Sequence, residues 1–284
     1  MYYHVDGELV DAADATVSVR DRGFQYGDAV FETLRAYGGQ VFAWDAHATR
    51  LRASCDALGI DHEHSERDLR GRVHATLAAN DLADASVRLS VTRGDQSGSF
   101  APADDADPTV VVVADALPRG GVDGERTWRS PASAATVAVE RAADDALPAV
   151  AKTHNYLNGI LARADAGDAD EAILLDDDGR VTGGATSNVF FVDDGVVHTP
   201  SLDLPVTPGI TRWAVLELAE DAGVPVETGH YTPRDLRDAD ELFLTNTTWE
   251  VRPVSAYDDT TYTTCKVGAR LAREFAEEIE RRHY

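Results

Sequence analysis

Residues 151–192 read AKTHNYLNGILARADAGDADEAILLDDDGRVTGGATSNVFFV, and this stretch decides how the whole chain is interpreted. It contains Lys152, one of two lysines in a chain that has twenty-four arginines. A lysine amine can lose its proton and attack a carbonyl to form a Schiff base, which arginine cannot do. Lys152 follows the apolar run 147–151 and precedes a helical pattern over 155–166, so we expect its amine at a strand-to-helix junction. From this context alone, an ordinary structural lysine remains an open alternative.

Length and composition indicate a globular protein. The chain has 284 residues, of which 43% are hydrophobic, enough for two modest domains with a sizeable core. The sequence has no apolar run long enough to cross a bilayer, and its start lacks the pattern of a signal peptide, so we expect a cytoplasmic protein. Cys55 and Cys265 have no CxxC spacing, which argues against a disulfide framework or a metal site.

The charge balance excludes some partners and suggests a habitat. The formal net charge is −24 and the isoelectric point is about 4.6. Binding to nucleic-acid phosphates or to anionic membranes needs clustered Lys and Arg, so neither partner is expected. Acidic residues spread along a lysine-poor chain resemble the surface of a protein from a halophilic organism, where carboxylates keep the surface hydrated and soluble.

The first half of the chain predicts strands around two helices. Helical spacing over residues 45–58 begins with an acidic cap and places His47 and Arg50 on one face. A second helix is predicted over 65–80, with Ser65 as its cap.

Glycines and polar residues mark the turns of this half. Residues 21–35, DRGFQYGDAVFETLR, contain two glycines and paired aromatics before a strand, which is typical of a glycine-punctuated hairpin. The loop Arg93–Pro108 is rich in Asp, Gly, Ser and Pro, so we expect an exposed loop that could act as a lid.

The second half alternates strands with helices. Thr207–Arg212 opens a helix, and the N–H groups at a helix start form an anion site. A terminal helix over 266–282 leaves Lys266 at the surface. Strands are predicted at 127–129, 136–139, 171–175, 188–192, 196–199 and 241–245.

These elements predict an α+β protein with two domains. We expect a small N-terminal domain over 1–116, a linker over 117–125, and a large C-terminal domain over 126–284 that carries Lys152.

Seven motifs, in order and spread over nearly the whole chain, resemble the fold-type IV pyridoxal-phosphate enzymes, also called class IV aminotransferases. The resemblance implies a two-domain fold like that of D-amino-acid aminotransferase, with pyridoxal 5'-phosphate at the domain interface, and a homodimer. The motifs are DRGFQYGDAVFETLR, HATRL, KTHNYLNGILARADA, DEAILLDDDGRVT, ATSNVFFV, TPGITR and TNTTWEVRPV.

The same resemblance implies roles for individual residues. Lys152 is implied to be the catalytic residue, forming the internal aldimine and later moving the Cα proton of the substrate. A dianionic phosphate would need a guanidinium fork and helix-start amides. The implied cofactor-binding residues are Arg50, Tyr156, Ile210, Thr211, Thr247 and Thr248. The implied substrate-binding residues are Tyr26, Phe31, Arg35, Arg88 and Asn246.

One position departs from the family pattern. Family members have a glutamate that pairs with the pyridine nitrogen, and Gly183 occupies that position here. An acidic partner keeps the nitrogen protonated, so that the ring can absorb electrons. The sequence therefore predicts either a poorer electron sink or a substitute for the glutamate; Thr186 and Ser187 are candidates for a weaker hydroxyl partner.

The resemblance leaves the specific reaction open. Branched-chain aminotransferases commonly have FEG at Phe31–Thr33 and Gly-Thr-Ala at Asn246–Thr248, while D-amino-acid aminotransferases have Arg and His at the positions of Gly98 and Phe100. Because lyases share FETLR and the Thr245–Asn246 pair, the leading specific hypothesis is 4-amino-4-deoxychorismate lyase, which forms p-aminobenzoate. The alternative is an aminotransferase acting on an amino acid or amine, branched-chain-like or R-selective. A cofactor-binding protein without catalysis is a further, weaker hypothesis.

Overall fold

A computed structural model describes residues 1–96, 100–102 and 107–284. The chain forms two compact units. The first comprises Met1–Gly120, Val150–Asn155 and His283–Tyr284, and the second comprises Gly121–Ala149 and Tyr156–Arg282. The chain thus passes from one unit to the other within the expected linker. The segment with Lys152, however, packs with the first unit and not, as the sequence had suggested, with the C-terminal residues.

The first unit is a six-stranded antiparallel sheet with helices against it. Its strand order is β2-β1-β6-β5-β3-β4. The strands are β1 (Tyr2–Val5), β2 (Glu8–Asp11), β3 (Ala29–Tyr37), β4 (Gln40–Val41), β5 (Ala85–Thr92) and β6 (Val110–Ala116). The helices are α1 (Arg22–Tyr26), α2 (Trp44–Leu58) and α3 (Glu66–Ala79).

Alternation along the central strands decides which face becomes the core. Val30 and Leu34 of β3 are fully buried in a cluster with Leu51 of α2 and Val73 of α3. Side chains of a strand alternate between its two faces, so the odd-numbered residues of β3, among them Phe31, lie on the opposite face of the sheet. The apolar face is covered by helices, which leaves the second face for polar and aromatic groups.

The second unit is built on a nine-stranded mixed sheet. Eight strands follow the order β12-β11-β10-β13-β14-β7-β8-β9, and β15 pairs with β14. The strands are β7 (Ala132–Thr136), β8 (Glu171–Leu175), β9 (Val181–Gly184), β10 (Asn188–Asp193), β11 (Val196–Pro200), β12 (Val226–Gly229), β13 (Glu241–Asn246), β14 (Glu250–Tyr257) and β15 (Thr260–Thr261). The helices are α4 (Leu157–Asp165), α5 (Ile210–Asp221), α6 (Pro233–Asp238) and α7 (Lys266–His283).

Two helix predictions have clear outcomes. Helix α3 begins directly after Ser65, whose hydroxyl accepts a hydrogen bond from Asp68 N–H, so the predicted cap is confirmed. The acidic cap of α2 is wrong, because the capping position is Ala43 in the left-handed region, and Asp45 lies inside the first turn. An acidic residue in the first turn still interacts favourably with the helix dipole.

Two strand predictions are wrong. Neither 127–129 nor the apolar run 147–151 forms a strand. The second segment contains a turn, in which Ala149 N–H donates to the Asp144 carboxylate. Apolar runs of this length do not distinguish a strand from a loop that packs on another element.

A glycine-punctuated hairpin was expected around residues 21–35, and a short helix lies there instead. Helix α1 is capped by Asp21, whose carboxylate accepts from Gly23 N–H, and it ends at Gly27 in the left-handed region. Residues 97–99 and 103–106 of the loop Arg93–Pro108, including the Gly98 position, lie outside the described residues. In the described ranges, no helix combines the length and the apolar character that a membrane span requires.

Candidate active site

Lys152 lies in an extended segment that runs beside β3. Phe31 N–H donates to Lys152 O (2.9 Å), and His154 N–H donates to Ala29 O (2.9 Å). The Lys152 N–H donates to Ser54 Oγ of α2 (3.0 Å). Because a sheet edge and a helix hold it on both sides, the backbone at Lys152 is fixed by rigid elements, although no strand precedes it.

The aromatic ring of Phe31 gathers two cationic side chains. Phe31 is 3% exposed. Lys152 Nζ lies 4.2 Å from the centre of its ring, and the Arg88 guanidinium carbon lies 3.6 Å from it. Cations are attracted to the electron-rich face of an aromatic ring. The structure therefore brings together three of the residues that the sequence singled out.

His154 belongs to the same group and was missed by the sequence analysis. Its ring contacts the edge of Phe31 with 5.6 Å between ring centres, and its Nε2 is 3.2 Å from Ser90 Oγ. Burial, together with the charge of Arg88, lowers the pKa of His154 to about 4. The ring is thus neutral near pH 7 and can donate or accept a hydrogen bond. Its place two residues after Lys152 was the one signal available in the sequence.

Arg50 forms a buried ion pair with Glu32. Arg50 Nε donates to Glu32 Oε1 (2.8 Å) and Nη2 donates to Oε2 (2.6 Å). His47 Nδ1 lies 2.7 Å from the same carboxylate. Burial alone raises the pKa of Glu32, but the charge and hydrogen bonds of Arg50 and His47 outweigh it and lower that pKa to about 2. Two donors of the guanidinium that was expected to hold a phosphate therefore face a carboxylate, and that cofactor role stays a prediction.

Tyr26 and Arg35 have other neighbours. Tyr26 is largely exposed, and its ring meets the edge of Phe100 with 5.4 Å between centres. Arg35 is buried over the ring of Tyr37, 4.7 Å from its centre, and its Nη2 donates to Pro118 O (3.3 Å). Their substrate-binding roles remain predictions.

In the second unit, the start of α5 forms the predicted helix-start site. Gly209 caps the helix, and Ile210 and Thr211 are buried in its first turn. The first N–H groups of a helix have no carbonyl partner within the helix. A Cβ atom on Gly209 would overlap with Asn188 Oδ1, while Asn188 Nδ2 donates to Thr207 O (2.9 Å). The approach to these amides is therefore set by close packing.

Tyr156 is the residue before α4, and Arg141 lies close to it. Arg141 Nη2 donates to Thr207 Oγ1 (2.9 Å), just ahead of α5. Burial lowers the pKa of Arg141, and the nearby Tyr156 partly opposes this shift. Arg141 thus belongs to the same group as Tyr156 and α5. Nothing in its local sequence distinguishes it from a surface arginine.

Asn246 organises the turn between β13 and β14. Its Oδ1 accepts from Thr248 N–H (3.1 Å) and Trp249 N–H (2.7 Å). Its Nδ2 donates to Thr186 O (3.4 Å), which joins this turn to the loop after β9. Asn246 therefore has a structural role beside its predicted substrate role. Thr247 and Thr248 lie half-buried in the same turn.

The loop after β9 surrounds the position of the missing glutamate. Gly183 has φ +129°, a conformation that favours glycine, and it lies at an irregularity in the pairing of β8 with β9. A Cβ on Gly184 would overlap with Ser187 Oγ and come within 2.9 Å of the Glu171 side chain. Two successive glycines are thus required by the packing of this loop.

Comparison with known proteins identifies the family. The family model of class IV aminotransferases ("Amino-transferase class IV") matches residues 29–257. A protein of Methanocaldococcus jannaschii, provisionally named a branched-chain-amino-acid aminotransferase, is 41% identical over 94% of this chain and 92% of its own length. D-alanine aminotransferase of Listeria monocytogenes is 34% identical over 98% and 96%. Aminodeoxychorismate lyase of Bacillus subtilis is 31% identical over 91% and 87%.

A solved structure shows the same fold. A branched-chain amino acid aminotransferase (T.th.) with pyridoxamine 5'-phosphate superimposes with a TM-score of 0.91, at 30% identity, over 99% of this chain and 94% of that chain. The implied two-domain α+β fold of type IV is confirmed. The chain therefore belongs to the class IV aminotransferase family, whose members are enzymes that use pyridoxal 5'-phosphate.

Proposed function

We propose that this enzyme transfers the amino group of an amino acid to a 2-oxo acid. The observation that carries the proposal is the cluster at Phe31, where the Lys152 amine and the Arg88 guanidinium lie 4.2 and 3.6 Å from the centre of one ring. Amino acids and 2-oxo acids both carry a carboxylate beside the reacting carbon. A guanidinium is the side chain best suited to hold a carboxylate in one orientation.

The residues present fit the cofactor. Pyridoxal phosphate offers an aldehyde for an amine and a phosphate for N–H donors, and when bound it supplies the electron sink for chemistry at Cα. Lys152 is the amine in question, because Lys266 is exposed at the start of α7. The amides of Ile210 and Thr211 open a helix of twelve residues, whose N-terminus attracts a phosphate.

The chain's own groups have complementary tasks in this proposal. Lys152 removes and returns the proton at Cα once its amine is released. Arg88 holds the substrate carboxylate, and Phe31 and His154 shield the amine with apolar and neutral surface. Tyr156 and Arg141 supply hydrogen bonds near the start of α5, and the turn 246–249 adds hydroxyl groups.

Cleavage of 4-amino-4-deoxychorismate is the second candidate function. It is favoured by the bare position at Gly183, because elimination lets charge leave with the departing group. The similarity to a lyase of Bacillus subtilis also supports it. The larger identity, 41%, is to a protein named as an aminotransferase.

A single-turnover experiment separates the two candidates. An amino donor alone (L-leucine, D-alanine or L-glutamate in turn) should convert the bound cofactor to its pyridoxamine form, and 2-oxoglutarate should restore it. A second arm offers aminodeoxychorismate and measures p-aminobenzoate and pyruvate. Release of both products, with no donor giving the pyridoxamine form, would establish the lyase and contradict our proposal.

We also propose that the enzyme works as a homodimer. On α4, Leu157, Ile160 and Leu161 are 65%, 61% and 51% exposed and share one helix face. Exposed apolar faces of this kind mark interfaces between proteins. Sedimentation should give a dimer mass, and Ile160→Glu should shift it toward the monomer. A monomer for the parent protein at micromolar concentration would contradict the proposal.

A further inference from the structure

Glu171 at the start of β8 is a carboxylate with no exposed surface. Its Oε2 accepts from Thr186 Oγ1 (2.7 Å), Ser187 Oγ (2.8 Å) and Thr186 N–H (3.2 Å), and its Oε1 accepts from Ala172 N–H (3.0 Å). All four donors are neutral. Within the described residues, no Lys, Arg or His nitrogen lies within 4.0 Å of this carboxylate.

A buried carboxylate without a cation is costly, because water no longer solvates its charge. The other two buried acids of the second unit, over the described residues, have evident tasks. Asp176 pairs with Arg180 in a turn (2.7 Å), and Glu241 accepts from the first N–H groups of α7. Glu171 has neither a guanidinium nor a helix start, so a positive partner for it is missing.

The two hydroxyl groups connect this carboxylate to the surface of the unit. Thr186 is exposed and Ser187 is half-buried, whereas Glu171 lies beneath them. Each hydroxyl gives its one proton to Glu171, so its remaining lone pairs can accept a hydrogen bond from outside. A hydroxyl that donates to a carboxylate is also a stronger acceptor, because hydrogen bonds in a chain polarise one another.

Ser187 also borders the position where the family's acidic side chain would begin. A Cβ on Gly183 would lie 3.1 Å from Ser187 O, with no other atom than Asn188 Cα within 4 Å. The space left by the glycine is therefore open and adjoins the hydroxyl pair.

We propose that Glu171, acting through the hydroxyls of Ser187 and Thr186, is the acidic partner of the cofactor's pyridine nitrogen in this enzyme. Glu171 is a positioning residue, since the hydroxyls contact the ring and the carboxylate keeps the ring nitrogen protonated. The inference rests on the cofactor of the family and holds for either reaction. It replaces our expectation of a poorer electron sink.

The direct test is the protonation state of nitrogen-15-labelled pyridoxal phosphate bound to the protein, measured by NMR. We expect a protonated ring nitrogen in the parent enzyme, and loss of that proton in Glu171→Gln and in Ser187→Ala or Thr186→Val. An unprotonated nitrogen in the parent, or a protonated one in all three variants, would overturn the inference.

Apo-protein provides a second readout that a purely structural role would not reproduce. Glu171→Gln should bind pyridoxal phosphate about ten- to a hundredfold more weakly, the effect of one charge-assisted hydrogen bond. The unfolding temperature of its apo form should stay constant or rise, because an uncompensated buried charge is removed. A fall in that temperature with unchanged affinity would show that Glu171 only supports the loop.

Ser133→Ala is the matched control. Ser133 Oγ also donates to a carboxylate of the second unit, that of Asp170 (3.3 Å). Its removal should leave the nitrogen protonated and the affinity unchanged. Gly183→Glu is not a clean test, because at φ +129° any side chain strains the backbone. The protonation measurement needs no turnover, so its outcome is independent of whether transfer or elimination is the reaction.

Discussion

At the scale of single residues, Lys152 is the group on which the chemistry depends. We expect borohydride reduction of the protein with bound cofactor to attach the cofactor covalently to the peptide that contains Lys152. Lys152→Ala should lose both the attachment and the activity. Lys266→Ala is the control, because Lys266 is the other lysine of the chain and is exposed. Label recovered on Lys266 in the parent protein would contradict the assignment.

Arg50 has a structural cost that its motif does not reveal. The sequence suggested that Arg50→Ala would weaken cofactor retention more than it disturbs the fold. In the structure Arg50 is the counter-ion of Glu32, which is 1% exposed. Removing one partner of a buried pair costs about 3–5 kcal/mol. Urea unfolding of the apo form should show that loss.

A double-mutant cycle checks this explanation. Adding Glu32→Gln to Arg50→Ala should recover part of the lost stability, because the unpaired charge is gone. If the double variant is as unstable as the sum of the single ones, the ion pair is not the cause.

The pH dependence of stability follows from the same pair. The pKa of Glu32 is lowered from its ordinary 4.5 to about 2. A lowered pKa in the folded state gives stability that is present above the ordinary value and is lost as the pH falls toward the folded one. The free energy of unfolding should therefore fall more steeply between pH 4.5 and about 2 in the parent than in Glu32→Gln. Parallel curves in that window would contradict the shift.

At the scale of elements, the start of α5 depends on one missing side chain. Gly209 has φ −66°, so an alanine there suffers no backbone strain, but its Cβ would overlap with Asn188 Oδ1. The entry to α5 must then move, together with the amides of Ile210 and Thr211. We expect Gly209→Ala to weaken pyridoxal phosphate binding by roughly tenfold or more, about 1.4 kcal/mol.

The control for this prediction is another glycine-to-alanine change. Gly71 lies inside α3, and a Cβ there would meet no atom within 4 Å. Gly71→Ala should leave cofactor affinity unchanged and stabilise the protein by up to about 1 kcal/mol, since alanine favours helices. Equal affinities for the two variants would show that the α5 amides do not hold the phosphate.

At the scale of the whole molecule, the net charge of −24 decides how stability responds to salt. Like charges on a compact surface repel one another, and salt screens them as the Debye length falls from about 10 Å at 0.1 M to about 3 Å at 1 M. The unfolding temperature should rise between about 0.1 and 1 M KCl, by about 2–4 °C for each kcal/mol gained. An unchanged or lower value would contradict this, and an equal osmolality of sucrose is the control for solvent exclusion.

The order of motifs along the chain was enough to indicate the family, the cofactor and Lys152. These features are local, because each depends on a few neighbouring residues whose types the chemistry restricts. The amphipathic helices and the cap at Ser65 were also readable, since they depend on spacing within one element.

The charge environment of the site was decided by the tertiary structure. Glu32 meets Arg50 across 18 residues, and Lys152 N–H meets Ser54 across 98, so no window of sequence contains both partners. The same reason hid His154, Arg141 and Glu171, whose burial and partners exist after distant strands pack together. Single residues announce which group reacts, but the pKa and the partner of a buried group depend on neighbours that the fold supplies.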